Sequence, residues 1–135
     1  MPYLQTLSLS DVPTSMNWCP NLTHLDVSFC QIKNVEMLFC LESLVLLNMQ
    51  GNQNLSSLQG IQYLCYLKAI NISNTNIKNI KILNGLKYLE LIYFSRNLED
   101  SFIDLLETNP KLERTYDWRK SLLERKIICD DGIVW

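Results

Sequence analysis

The sequence predicts an α/β solenoid: a coil of about five repeats, a short parallel sheet along its concave side, a mostly 3₁₀ and extended convex side, and a C-terminal helical cap. Three observations predict it. The frame L-x-x-L-x-L-x-x-N-x-L starts at Leu4, Leu22, Leu44, Leu67 and Leu89, with a degenerate start at Leu112, at intervals of 18, 22, 23, 22 and 23 residues. Self-similarity at such a period marks stacked repeats, each burying its apolar face only against its neighbours. Inside each copy, the alternation L-x-L is that of a strand with one buried face. Between copies, apolar residues fall every third position, as in Ile77, Ile80, Leu83 and Leu86. That period belongs to 3₁₀ turns, whereas an α-helix repeats every 3.6 residues.

Taken in order, the first coil offers Leu4, Leu7 and Leu9 but places Val12 where a polar turn residue is needed, so it is expected to be looser or capped. The second reads Leu22, Leu25, Val27, Cys30, Ile32 and returns through Val35, Leu38 and Leu41. The third reads Leu44, Leu47, Met49, Asn52 and returns through Leu55, Leu58, Ile61 and Leu64. The fourth reads Leu67, Ile70, Ile72, Thr75, Ile77. In the fifth, Leu89, Ile92, Phe94 and Asn97 precede a different return: Ser101 and Asp104 stand as in a capping box, and Phe102, Leu105 and Leu106 have helical spacing. An α-helix is expected over about 101–108, stopped by Asn109-Pro110. The polar ninth position turns the chain and can bond backbone groups of a neighbouring coil. Beyond residue 112, Asp117 is placed to cap a helix over about 118–127 with Trp118 and Leu122 on one side, and Asp131-Gly132 suggests a hairpin turn. The chain therefore divides into a solenoid, 1–112, and a capping segment, 113–135.

Over residues 2–112 the frame resembles leucine-rich-repeat proteins, where Cys30 and Thr75 match accepted substitutes for the asparagine. The resemblance implies a right-handed coil that binds a protein partner on its concave face. The run of threes resembles the internalin-like and phosphatase-regulator subclass. Proline stands two residues before the first leucine at Pro2, Pro20 and Pro110, and "CPNLTHLDVSFCQI" at 19–32 resembles the cysteine-containing repeats of F-box-type ubiquitin-ligase substrate receptors. No F-box accompanies it.

Composition narrows the function classes. The net charge of −2 and pI near 5.3 do not favour a general nucleic-acid binder, which shows a basic stripe. Charge is uneven: residues 111–126 hold Lys111, Arg114, Arg119, Lys120, Arg125 and Lys126 against three acids, a solvated face or a dock for an acidic partner. Five cysteines, with no C-x-x-C pair, suggest neither a disulfide framework nor a zinc site but a reducing, cytoplasmic setting. Sequons at Asn21, Asn54 and Asn71 are expected by chance in an Asn-rich chain. The first 20 residues lack a signal-peptide pattern, and the longest apolar run, Leu44 to Leu47, is too short to span a membrane. Nothing covers the edge of the first strand, so either residues before Met1 or a partner on that edge is expected.

Catalysis has little support. His24, Asp26 and Cys30 can be drawn as a triad, but Cys30 occupies an inward position and its thiol should not reach solvent beside His24. The glycines are isolated, and Asp130-Asp131 lacks the other ligands of a calcium loop, so no cofactor, metal or small-molecule substrate is expected. Strand residues between the buried leucines point to the concave face in three columns. The first runs Thr6, His24, Leu46, Ala69, Leu91, Arg114. The second runs Ser8, Asp26, Asn48, Asn71, Tyr93, Tyr116, and the third Ser10, Ser28, Gln50, Ser73, Ser95, Trp118. Six strands spaced 4.8 Å apart span roughly 24 Å, broad enough for much of a standard interface. The residues expected to meet a protein partner are Leu46, Leu91, Tyr93, Arg96, Arg114, Tyr116 and Trp118, since aromatic residues and arginine are enriched in binding hot spots. Tyr116 and Trp118 have packing into the C-terminal cap as their alternative. The function expected is a non-enzymatic interaction module, an adaptor or substrate receptor. The alternatives are a phosphatase-regulator-like subunit, or a structural subunit held through its N-terminal edge and basic C-terminal cap.

Overall fold

Six short strands line up in chain order as one parallel sheet: β1 (Thr6–Ser8), β2 (His24–Asp26), β3 (Leu46–Asn48), β4 (Ala69–Asn71), β5 (Leu91–Tyr93) and β6 (Glu113–Arg114). This is seen in a computed structural model that describes residues 6–10, 15–17 and 19–129. Val12 and the Asp131-Gly132 turn fall outside the described residues. The convex side returns through 3₁₀ turns at Glu36–Leu38, Ile61–Tyr63 and Lys81–Gly85, as the period of three requires. The fifth coil alone turns through 3₁₀ residues Arg96–Leu98 into an α-helix, α1 (Glu99–Thr108). Ser101 does not cap it; its Oγ accepts from Ile80 N–H of the previous coil at 3.0 Å. The last helix, α2 (Trp118–Glu124), is shorter than expected from the sequence.

Register explains the core. The rows Leu7–Leu25–Leu47–Ile70–Ile92 pair across successive strands, and the leucines and isoleucines of the convex runs are buried beneath them. Asn52 shows what the ninth position does. Its Oδ1 accepts from Cys30 N–H (3.1 Å) and Ile32 N–H (3.0 Å), and its Nδ2 donates to the carbonyls of Val27 (3.0 Å) and Met49 (2.7 Å). One buried amide thus satisfies four backbone groups that the turn leaves without ladder partners. Cys30 does a weaker version, donating its thiol to the Leu9 carbonyl of the preceding coil. The Thr75 hydroxyl donates within its own coil, to the Ile72 carbonyl. After β2, β3 and β4 the turn holds one residue in a left-handed backbone: Phe29 (φ 55°), Gly51 (φ 77°) and Asn74 (φ 54°). Glycine and asparagine suit that region, and Phe29 does not. A β-carbon on Gly51 would lie 2.2 Å from the Phe29 ring, so glycine there serves both the turn and the aromatic packed on it.

Candidate partner-binding surfaces

The concave columns form as expected over five strands, but the first is not open. α2 and the residues after it cross back over the first column, where Leu46, Ala69 and Leu91 are buried in one cluster with Trp118, Leu122, Ile127 and Ile128. Local chemistry drives this path. Asp117 caps α2 as the sequence suggests, accepting from Lys120 N–H at 3.1 Å. The helix then stops with Lys126 in the left-handed region (φ 60°), Lys126 N–H on the Leu123 carbonyl and Ile127 N–H on the Leu122 carbonyl. That pair of bonds is a Schellman stop, and it places Ile127 beside Leu122. The segment is pinned at two further points. His24 Nε2 donates to the Ile127 carbonyl at 2.6 Å, and its Nδ1 shares a hydrogen bond with the Thr23 hydroxyl at 2.8 Å. Arg125 bridges Glu90 and Glu113.

The last strand departs from the expected register. The leucine spacing from Leu89 to Leu112 is 23 residues, yet Leu91 pairs with Glu113 and Ile92 with Arg114, an offset of 22. The turn before the leucine is the same in each coil, Leu112 N–H on the Asn109 carbonyl matching Leu89 N–H on that of Leu86, but β6 begins one residue after its leucine where β5 begins two after. A slip of one residue exchanges the two faces of a strand. Glu113, not Arg114, therefore ends the first column, and Arg114 ends the buried row begun by Leu7. Its side chain is 11% exposed, its guanidinium lies 4.0 Å from the Phe94 ring centroid and 4.6 Å from that of Tyr116, and it bonds Glu99 and the Phe94 carbonyl. An arginine stacked between rings closes the row where a further aliphatic coil is lacking.

A second set of side chains faces out along the edge that leads into the strands. Tyr66 and Tyr88 occupy equivalent positions in adjacent coils, each 55% exposed, with rings stacked at 5.8 Å and 20°. Phe39 and Tyr63 pair at 5.5 Å on the same side, Phe39 lying over Gly60. Ser43, Val45, Tyr66, Lys68 and Tyr88 line an open groove of about 430 Å³.

No protein-family model matches the sequence, and no curated protein sequence matches it. Among solved structures the chain is similar to internalin C2 of Listeria monocytogenes, with 20% identity and a TM-score of 0.69, over 84% of this chain and 61% of that one. It is also aligned with the internalin InlF of the same species at 13% identity and a TM-score of 0.49, over 82% of this chain and 46% of that one. The fold is a leucine-rich-repeat solenoid. The chain spans 61% of the length of internalin C2.

Within this leucine-rich-repeat frame the seven residues expected at a partner surface separate. Leu46, Leu91 and Trp118 are buried against one another and present no face to a partner, a correction that follows from the C-terminal segment lying on the column. Arg114 turns inward by the register slip. Tyr93 is half-buried, its ring 6.4 Å from Trp118. Tyr116 is 79% exposed beside Arg114, so it does not pack into the cap. Arg96 begins a 3₁₀ turn, and its side chain lies outside what is described. The Asn71 sequon is structural: that side chain is buried, with Nδ2 donated to Gln50 Oε1. The edge aromatics were missed, although the sequence carries a signal for them. Tyrosine directly precedes a framework leucine at Tyr63-Leu64, Tyr66-Leu67 and Tyr88-Leu89, a position flanked on the inside by core and open on the outside.

Proposed function

We propose that the chain is a non-enzymatic protein-interaction module of adaptor or substrate-receptor type, working in a reducing, cytoplasmic setting, and that its partner meets the aromatic edge rather than the covered concave column. The exposed tyrosine pair Tyr66–Tyr88 carries this reading. Large aromatic side chains held rigidly in the open are the side chains that dominate binding energies. Tyr116 and the half-exposed Tyr93 extend the same reading to the C-terminal end of the solenoid. Five cysteines without a disulfide support the reducing setting. A second reading, a structural subunit held through its first strand, rests on β1, which pairs only with β2 among the described residues.

Crosslinking with mass spectrometry in native extract separates the two. The interaction-module reading expects an identified partner joined through Lys68 and Lys87, and loss of those links in the Tyr66→Ser, Tyr88→Ser double variant. Links that persist in the double variant, or that run only from residues near β1, overturn it.

A further inference from the structure

We propose that the edge groove takes an acidic peptide segment with one apolar anchor residue. The inference rests on the interaction-module reading and specifies the partner's chemistry. The anchor is called for by the groove's lining: two stacked phenol rings and the Val45 side chain, which packs from beneath onto the buried cluster under the C-terminal segment. A volume of about 430 Å³ suits one or two side chains, not a folded domain.

The charge is called for by the rim. Lys68 lines the groove, Lys87 adjoins Tyr88, and Lys111 follows in the next coil; all three are exposed, and none forms an ion pair among the described residues. Of the acids on this edge, Glu90 and Glu113 share the single guanidinium of Arg125, and Glu42 adjoins Ser43 of the lining. With Arg125 included, four cations on this edge exceed its three carboxylates by one, and the lysines stand around an apolar floor, complementary to carboxylates flanking an aliphatic, aromatic or proline side chain. A concavity lined by Leu58, Lys78, Lys81 and Ile82 shares the charge, but no aromatic side chain lines it. The groove between Lys81–Gly85 and α1 has Lys78 and Lys81 facing Asp104 and Glu107, and so carries both signs. A single-stranded nucleic acid is less well matched: it needs a run of stacking platforms along a basic track, whereas this edge offers one tyrosine pair on a chain of net charge −2.

The test is selection of a displayed library of short linear peptides on the intact chain, followed by affinity measurement with a labelled, enriched peptide. Enrichment of acidic residues around one apolar residue is expected. Affinity should fall about tenfold or more in Tyr66→Ser and in the Lys68→Glu, Lys87→Glu double variant, and stay unchanged in Ile103→Ser, an exposed position on α1. Added salt should weaken binding, and do so less steeply in the Lys68→Gln, Lys87→Gln double variant. These side chains are exposed, so unchanged thermal unfolding confirms that the variants fold. Enriched peptides that are neutral or basic yet depend on Tyr66 overturn the acidic class while leaving the interaction module standing. Enriched peptides indifferent to every groove variant overturn the groove. Competition by an oligouridylate but by no peptide, self-association lost in Tyr66→Ser, or no enrichment on any surface overturns the proposal, and the last of these overturns the interaction module with it.

Discussion

At the scale of residues, two asparagines in the same repeat position have unequal roles. Asn52 is fully buried and serves four backbone groups of two coils. Asn97 is exposed and makes one long bond of 3.5 Å to the Ile77 carbonyl. Asn52→Ala strands several buried donors and acceptors and should cost about 3–4 kcal/mol in urea unfolding, whereas Asn97→Ala should cost under about 1 kcal/mol. The asparagine position was legible in the sequence, because a chain that turns away from a sheet must satisfy its backbone polar groups somehow. The inequality was not, since it depends on whether the following coil is an extended turn or, as after Asn97, a helix. Arg114 was misread for a related reason. Repeat counting places it on the concave face, and only the pairing of β6 shows that this strand begins one residue after its leucine, not two.

At the scale of elements, the 3₁₀ turns, α1 and the Asp117 cap follow from spacing and capping chemistry within a few residues of chain. The path of the C-terminal segment does not. The bond from His24 to the Ile127 carbonyl joins residues 103 positions apart, and no periodicity links them. The only trace in the sequence is the pair Leu46 and Leu91, aliphatic residues on a face that is elsewhere polar. Burial of Trp118, Leu122, Ile127 and Ile128 at about 1.5–3 kcal/mol each makes this segment a lasting part of the fold rather than a loose cover. Trp118→Ala should therefore destabilise by about 3–5 kcal/mol. Trp118 Nε1 is buried without a partner among the described residues, so Trp118→Phe should change stability by less than about 1 kcal/mol, the loss of packing being offset by removal of an unsatisfied donor. Paired thermal and urea unfolding of the two variants checks both numbers; equal, large losses would mean that the indole nitrogen is in fact bonded.

At the scale of the whole molecule, the repeat gives the solenoid and the solenoid gives two candidate faces. The sequence points to the concave one because strand alternation is easy to project. The structure covers the first column of that face with the chain's own C-terminal segment and leaves the tyrosines of the loop edge in the open, where a solenoid has no neighbour to cover them. Shifting the binding surface from column to edge thus depends on one contact set, the packing of the C-terminal segment on Leu46, Ala69 and Leu91. Nuclear Overhauser contacts in the labelled, intact chain test it most directly. The account predicts cross-peaks from the Leu46 and Leu91 methyl groups to protons of Trp118, Leu122, Ile127 or Ile128, together with backbone contacts joining Leu46 to Ala69 and Ala69 to Leu91. A sheet with the backbone contacts alone, its Leu46 and Leu91 methyl groups relaxed by a paramagnetic agent dissolved in the water, would contradict it.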